Sequence, residues 1–380
     1  MYLLHFLPFS VALTRCAHCS HWRVVCPAVL GSPYGATSPA SIDPATGQQY
    51  GSSFPQITPL DQARMHALLL QHVLKLPSVH AVVGASMGGM QALHFAALFP
   101  QAAKRVVCIA ATPRTSPMTV AMRHAQRTAI MLDPEFRGGR YWDVTSGGDG
   151  SGPIAGLRIA RQMGMMAYRS REEFDARFSW AVTGKPSLPH AAFEVESYLT
   201  YQGKKFAGQF DANCYLLLSR CMDLMNIAQT LPRTVAGPQS HSAAPPGVSS
   251  GGGVQPINDT PAVAGDSVLE ANYSLQSRPA RCSYEEAVGR VKADSLLIGV
   301  RQDALCPQDE LKRMAEVANA YAAPGAQPHV HFHSINSVFG HDSFLHDFGV
   351  LGGLIKSHLT AGLEAQLAAE EAHTTGLSAP

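Results

Sequence analysis

Residues 79–98 read VHAVVGASMGGMQALHFAAL, and they decide the fold. VHAVVGA is a β-branched apolar run, which predicts a buried strand; SMGG carries a sharp turn; MQALHFAALF is helical until Pro100 stops it. AKRVVCIAA at 103–111 follows as a second buried strand. Strand, helix and strand within about thirty residues make a βαβ unit of a parallel sheet, whose strands read as continuous apolar runs because both faces are covered. The fold class is therefore α/β.

Working outward, the pattern changes at about 114. MRHAQRTAIML (122–132), AGLRIARQMGMMAY (155–168), REEFDARFSWAV (171–182) and CYLLLSRCMDLMNIAQ (214–229) carry apolar residues at spacings of three and four, which predicts an all-helical insertion over 114–232. Sheet-type segments return at ADSLLIGV (293–300) and HVHFHSI (329–335), with helices at 307–322 and 342–359. The chain thus divides into a first core part (1–113), the helical lid (114–232), a linker rich in Gly, Pro and Ser (233–280), a second core part (281–362) and a tail (363–380). The linker has no periodic apolar face to offset its ordering entropy and is expected to be disordered.

Gly84-Ala85-Ser86-Met87-Gly88 is a GxSxG elbow, lying after a buried strand and before a helix as that motif requires. Glycines on both sides let the serine sit in a strained turn, and the Met87 backbone N–H at the helix N-terminus is placed to donate to a developing oxyanion. A serine hydroxyl is a weak nucleophile until a base takes its proton. A carboxylate and then a histidine are therefore expected further along the chain. Asp303 follows the strand SLLIGV in the loop RQDALCP, although an aspartate there also suits a plain turn before Pro307. Of the seventeen histidines, His341 lies after the final apolar strand and before the last helix, in FGHDSFL; His331 and His333 alternate inside the strand.

Composition bounds the alternatives. A chain of 380 residues, 46% hydrophobic and 15% charged, can bury a sizeable core, and a formal net charge of +1 leaves no footprint for nucleic acid or an anionic membrane. The eight cysteines are scattered, several within apolar runs, and read as reduced thiols. Cys16, His18, Cys19 and His21 imitate half of a zinc site, yet no second ligand pair follows, so no metal ion is expected. The opening MYLLHFLPFSVAL lacks the positive start of a secretory signal and is too short to span a bilayer, which makes a cytoplasmic protein the default expectation.

At the elbow VVGASMGGMQAL (82–93) the chain resembles the homoserine O-acetyltransferase family of α/β-hydrolase-fold enzymes. The blocks LGSPYGATSPASIDPATGQQYGSSFPQIT (30–58), AQRTAIMLDPEFRGGRY (125–141), FEVESYLTYQGKKFAGQFDANCYL (193–216), the acid loop and GHDSFL (340–345) look like family blocks in family order, over most of 24–362. The resemblance implies ping-pong chemistry. Ser86 takes the acetyl group of the co-substrate acetyl-CoA, no cofactor being permanently bound, and passes it to L-homoserine for methionine biosynthesis; His341 is base then acid, and Asp303 steadies it. It further implies that Arg161, Tyr168 and Asp342 hold the amino acid, Arg161 by its carboxylate and Asp342 by its ammonium. A helical lid that keeps water from the acyl-enzyme and a homodimer through that lid are also implied. On spacing alone Arg158, Arg161 and Arg169 would be ordinary solvated helix charges.

The resemblance weakens at the start. Only 23 residues precede Val24, so the family's N-terminal strands look truncated. ALTRCAH (12–18) looks like a remnant of the segment that supplies the second oxyanion donor, which would be the Leu13 backbone, with Arg15 where glycine is expected. Loss of such a donor typically costs about 10²–10³ in turnover. The rival expectations are serine O-acetyltransferase or homoserine O-succinyltransferase of the same family, acetyl transfer to an antibiotic precursor, a plain serine esterase, and an inactive relative.

Overall fold

A computed structural model describes residues 2–5 and 22–361, apart from 144, 146, 149, 183–192, 230–281, 323 and 324. The expected linker at 233–280, the tail at 363–380, Leu13 and the Cys16–His21 group lie outside the described residues. Strands β1 (Tyr2–His5), β2 (Arg23–Val25), β3 (Val79–Ala85), β4 (Ala103–Ile109), β5 (Asp294–Val300) and β6 (Val330–Ile335) form one six-stranded sheet in the order β2-β1-β3-β4-β5-β6, every neighbour parallel. Crossovers supply the helices: α1 (Pro59–Leu68) precedes β3, and α2 (Met87–Leu98) joins β3 to β4. Past the lid, α8 (Tyr284–Val288) leads into β5, and α9 (Gln308–Ala320) joins β5 to β6. After β6 come α10 (Ser343–His346) and α11 (Phe348–Thr360).

The twofold alternation of side chains along a strand divides the apolar residues between two cores. Val82, Val106, Cys108 and Leu297 pack with α1, α2, α8 and α9 on one face. Ala81, Val83, Val107 and Ile298 point the other way, against Leu351, Ile355 and Leu359 of α11. A fully buried Val, Leu or Ile side chain contributes about 1.5–3 kcal/mol, so covering both faces holds the sheet, and the apolar runs of β3 and β4 are the imprint of that burial. At the far end from Ser86, Arg105 straps α11 down: its Nη1 donates to Asp294 Oδ2 and to the His358 carbonyl, both at 2.6 Å, and its Nη2 to the Ala361 carbonyl at 2.5 Å. The His80 ring meets the Leu359 carbonyl at 2.9 Å.

Between β4 and β5 lie α3 (Pro117–Met131), α4 (Ile154–Tyr168), α5 (Arg171–Phe178), α6 (Glu194–Ala207) and α7 (Ala212–Asp223). Side-chain caps start three of them: Ser116 accepts from the Thr119 N–H, Ser170 from that of Glu173 and Asp211 from that of Cys214. α4 packs against both α3 and α6. Inside, Arg123 and Arg127 of α3 share Asp223 of α7, at 3.4 and 2.7 Å, and all three side chains are at most 7% exposed.

Three local readings differ from the structure. Tyr2–His5, read as part of an apolar run, pairs in parallel with both β2 and β3 and so occupies an interior place in the sheet; four residues are too few for alternation to register. The helix expected over 171–182 stops at Phe178, because Ser179 turns to φ 48°. The last helix is broken in two at Asp347, whose φ −90° and ψ 50° leave the helical region. Among the described residues no helix is long and apolar enough to cross a membrane.

Candidate active site

The elbow is built from a close approach. A Cβ on Gly84 would lie 2.1 Å from the Gly88 carbonyl oxygen, so only glycine lets the end of β3 pass the first turn of α2. Between them Ser86 adopts φ 53°, ψ −123°, and its N–H is held by the Ile109 carbonyl at 2.9 Å. This left-handed geometry is costly for serine and persists because β4 and α2 over-determine it. Met87 is the first residue of α2; its N–H has no acceptor within the helix and is available to an oxyanion. Leu13, the expected second donor, is outside the described residues.

Asp303 follows β5 and His341 follows β6, so both emerge from the same edge of the sheet as Ser86. The three side chains meet. Ser86 Oγ lies 2.8 Å from His341 Nε2, and His341 Nδ1 lies 2.8 Å from Asp303 Oδ2. Asp303 is buried, and its other oxygen accepts from the backbone N–H groups of Leu305 and Cys306, both at 2.8 Å. The two sequence readings of Asp303 therefore hold together: one oxygen makes a turn, the other holds the histidine. Burial pulls the His341 pKa down, but the charge and hydrogen bond of Asp303, with the charge of Asp342, more than offset it, and the net shift is upward from 6.5. Cys306, beside them, has its thiol pushed well above its usual range by burial and by the Asp303 charge.

Gly340 makes this juncture possible. At φ 60°, a Cβ there would lie 2.9 Å from the Ser170 nitrogen, so the histidine turn Gly340–Asp342 sits directly on the end of α4. Ser170 Oγ also donates to the Val338 carbonyl. The lid and the histidine turn are thereby one packed unit.

Of the residues implied for the amino acid, Arg161 and Tyr168 lie together on α4. The Arg161 guanidinium is 5.3 Å from the Tyr168 ring centre and 5.0 Å from that of Phe206, and its Nε is buried without a hydrogen-bond partner among the described residues. The Tyr168 ring is 6.3 Å from that of His341, so a tyrosine ring lies between the cation and the relay, and the Arg161 charge acts on Asp342. Asp342 is held differently from expectation. Its Oδ2 is 3.2 Å from Nε of Arg169, a residue whose spacing read as a solvated charge but whose side chain is 9% exposed. Arg169 also reaches Glu173 at 3.7 Å and the His346 ring at 3.0 Å. Burial pushes the Asp342 carboxyl up, while His341, Arg169 and Arg161 oppose that push without cancelling it. The i,i+4 pairing with Glu173 is local, but nothing in the sequence flags the pair with Asp342, which is far away along the chain.

The arrangement can perform nucleophilic acyl transfer: an activated hydroxyl, a base steadied by a buried carboxylate, an oxyanion donor and a nearby cation for a carboxylate. Comparison with known proteins agrees. The family model described as alpha/beta hydrolase fold matches residues 6–334. Homoserine O-acetyltransferase of Moorella thermoacetica is 34% identical over 338 residues, 88% of this chain and 74% of that one. Serine O-succinyltransferase of Emericella nidulans is 32% identical over 356 residues, 88% of this chain and 66% of that one. Among solved structures, homoserine O-acetyltransferase from Bacillus anthracis matches with a TM-score of 0.64 at 22% identity, covering 85% of this chain and 71% of that one. Esterase E22 matches with a TM-score of 0.70 at 18% identity, covering 94% and 89%. At such identities these two likenesses speak for the fold.

Proposed function

The chain belongs to the α/β-hydrolase-fold family, among the homoserine O-acetyltransferases and their acyltransferase siblings, and from that premise we propose that it moves an acetyl group from acetyl-CoA to the hydroxyl of L-homoserine. The observation that carries the proposal is the unbroken relay Ser86–His341–Asp303 at 2.8 Å per step, with the buried Nε of Arg161, unpartnered among the described residues, on the far side of the Tyr168 ring. Ser86 Oγ attacks the thioester carbonyl as His341 Nε2 takes its proton, and the Met87 N–H receives the oxyanion. CoA leaves as the thiol with that proton. Homoserine then gives its hydroxyl proton to His341 and takes the acetyl group, so Ser86 is regained. Arg161 grips the acceptor's carboxylate, and Asp342 with Tyr168 borders its other end. Because Arg169 already neutralises Asp342 in part, Asp342 offers the ammonium a shared carboxylate, a weaker hold than a free one.

A homodimer through the lid and a cytoplasmic setting belong to the same proposal. Trp180 (80% exposed), Tyr201 (60%) and Met166 (57%) lie in or beside α4–α6 and favour such a face, to be checked by analytical ultracentrifugation. The second reading, transfer of a succinyl group to serine, is favoured by the relatives that carry that name. Crossing acetyl-CoA and succinyl-CoA with homoserine and serine, with acyl-Ser86 followed by mass spectrometry, tests both. The reading stands if acetyl-Ser86 forms and discharges onto homoserine fastest, and falls if water or another acceptor discharges it equally well.

A further inference from the structure

The thiol of Cys306 takes no part in the chemistry above, where only its backbone N–H holds Asp303, yet the residue is 1% exposed and stands against the relay. The ligand atoms of Asp303, Cys306 and His341 all lie within 4.8 Å of one another. One carboxylate oxygen, one sulfur and one imidazole nitrogen form a mixed donor set that suits a borderline-soft, tetrahedral cation. With bonds of about 2.0–2.3 Å, donors around such a cation stand about 3.2–3.8 Å apart. The widest separation in the cluster thus needs to close by only about an ångström, while the short contact of His341 Nδ1 with Asp303 opens by less.

We propose that Asp303, Cys306 and His341 form an inhibitory site for a soft divalent cation, zinc or cadmium, with water as the remaining ligand. The cation takes the place of the proton between His341 Nδ1 and Asp303 Oδ2. Cys306 releases its thiol proton to solvent and binds through sulfur. The neutral imidazole then carries its one proton on Nε2, which faces Ser86 Oγ at 2.8 Å. That nitrogen now donates to the serine and has no lone pair with which to take its proton, so acylation stops until the cation leaves. The site depends on the histidine's tautomer and not on the acceptor, so it stands apart from the homoserine reading.

The test uses the full chain with Cys16→Ser and Cys19→Ser, which removes the ligand pair outside the described residues. Cadmium is titrated while the ultraviolet thiolate-to-cadmium band is recorded, and in parallel the rate of Ser86 acylation is measured against zinc. The expected result is a saturating band at a single equivalent, inhibition in step with it, and recovery on adding EDTA. Cys306→Ala and the near-isosteric Cys306→Ser should lose the band, keep the metal-free rate, and need at least about tenfold more zinc for the same inhibition. The proposal is overturned if no band forms, if the band survives in the Cys306 variants, or if zinc inhibits those variants like their parent. If no acyl donor ever labels Ser86, the functional reading fails while the cadmium titration still decides the site.

Discussion

Replacing Asp303 by asparagine leaves the shape of the relay and reverses its logic. Asp303 Oδ1 accepts two backbone N–H groups, from Leu305 and Cys306, each at 2.8 Å. An asparagine keeps its oxygen there, which turns its NH₂ towards His341 Nδ1. That nitrogen must then accept, so the imidazole proton moves to Nε2, opposite Ser86 Oγ, and the base is lost. Flipping the amide restores the tautomer only by leaving two buried donors without acceptors, at about 1–3 kcal/mol each. The competent arrangement is thus about 2–6 kcal/mol uphill, and at about 1.4 kcal/mol per decade acylation slows by about 30-fold to about 10⁴-fold, with the steric frame intact. Stopped-flow thiol release from acetyl-CoA measures it directly. Acylation requires neutral His341, and its folded pKa lies above 6.5, so the wild-type rate falls as pH drops through a value above 6.5. The variant loses the carboxylate that raised this pKa, so any residual rate should persist to lower pH. An Asp303→Asn enzyme that acylates within about tenfold of wild type would refute the reasoning.

Other substitutions probe the same frame. Arg161→Gln should leave acylation of Ser86 unchanged and cut kcat/KM for homoserine by about 10–100-fold, one charge-assisted bond being worth about 1.5–3 kcal/mol; half-reaction kinetics separate the two. Gly340→Ala forces a Cβ to 2.9 Å from the Ser170 nitrogen at φ 60° and should destabilise the fold by about 1–3 kcal/mol while slowing acylation, as read by thermal melting and thiol release. Asp223→Ala strands two buried guanidinium groups and should cost about 3–5 kcal/mol in urea unfolding. Burial holds His94 at a pKa of about 3. The unfolded chain takes up that proton near 6.5 and the folded chain does not, so stability falls as pH drops from about 6.5 towards 3; His94→Leu should flatten the acid limb of a melting-temperature profile.

What could be read beforehand was whatever leaves a local imprint. The all-buried run of β3, the glycines of the elbow and the place of Asp303 after SLLIGV are each set by residues near in sequence, and each is found where expected. Chain order then singled out His341 among seventeen histidines, and its Nε2 lies 2.8 Å from Ser86 Oγ. Pairings across the chain left no such mark. Nothing near Arg169 announces Asp342, and helical spacing places Arg123 and Arg127 on one face without revealing that Asp223, about a hundred residues on, neutralises them. The same is true of Cys306, which becomes a neighbour of His341 only when β5 and β6 lie side by side.

The strap from Arg105 and His80 to the carbonyls of residues 358, 359 and 361 has a consequence for chain surgery. A deletion that ends after Asp347 would spare Ser86, Asp303 and His341, yet it would uncover Val83, Val107 and Ile298 along one whole side of the sheet. Such a shortened chain would keep every reacting group and still precipitate, because α11 shields that side from other molecules.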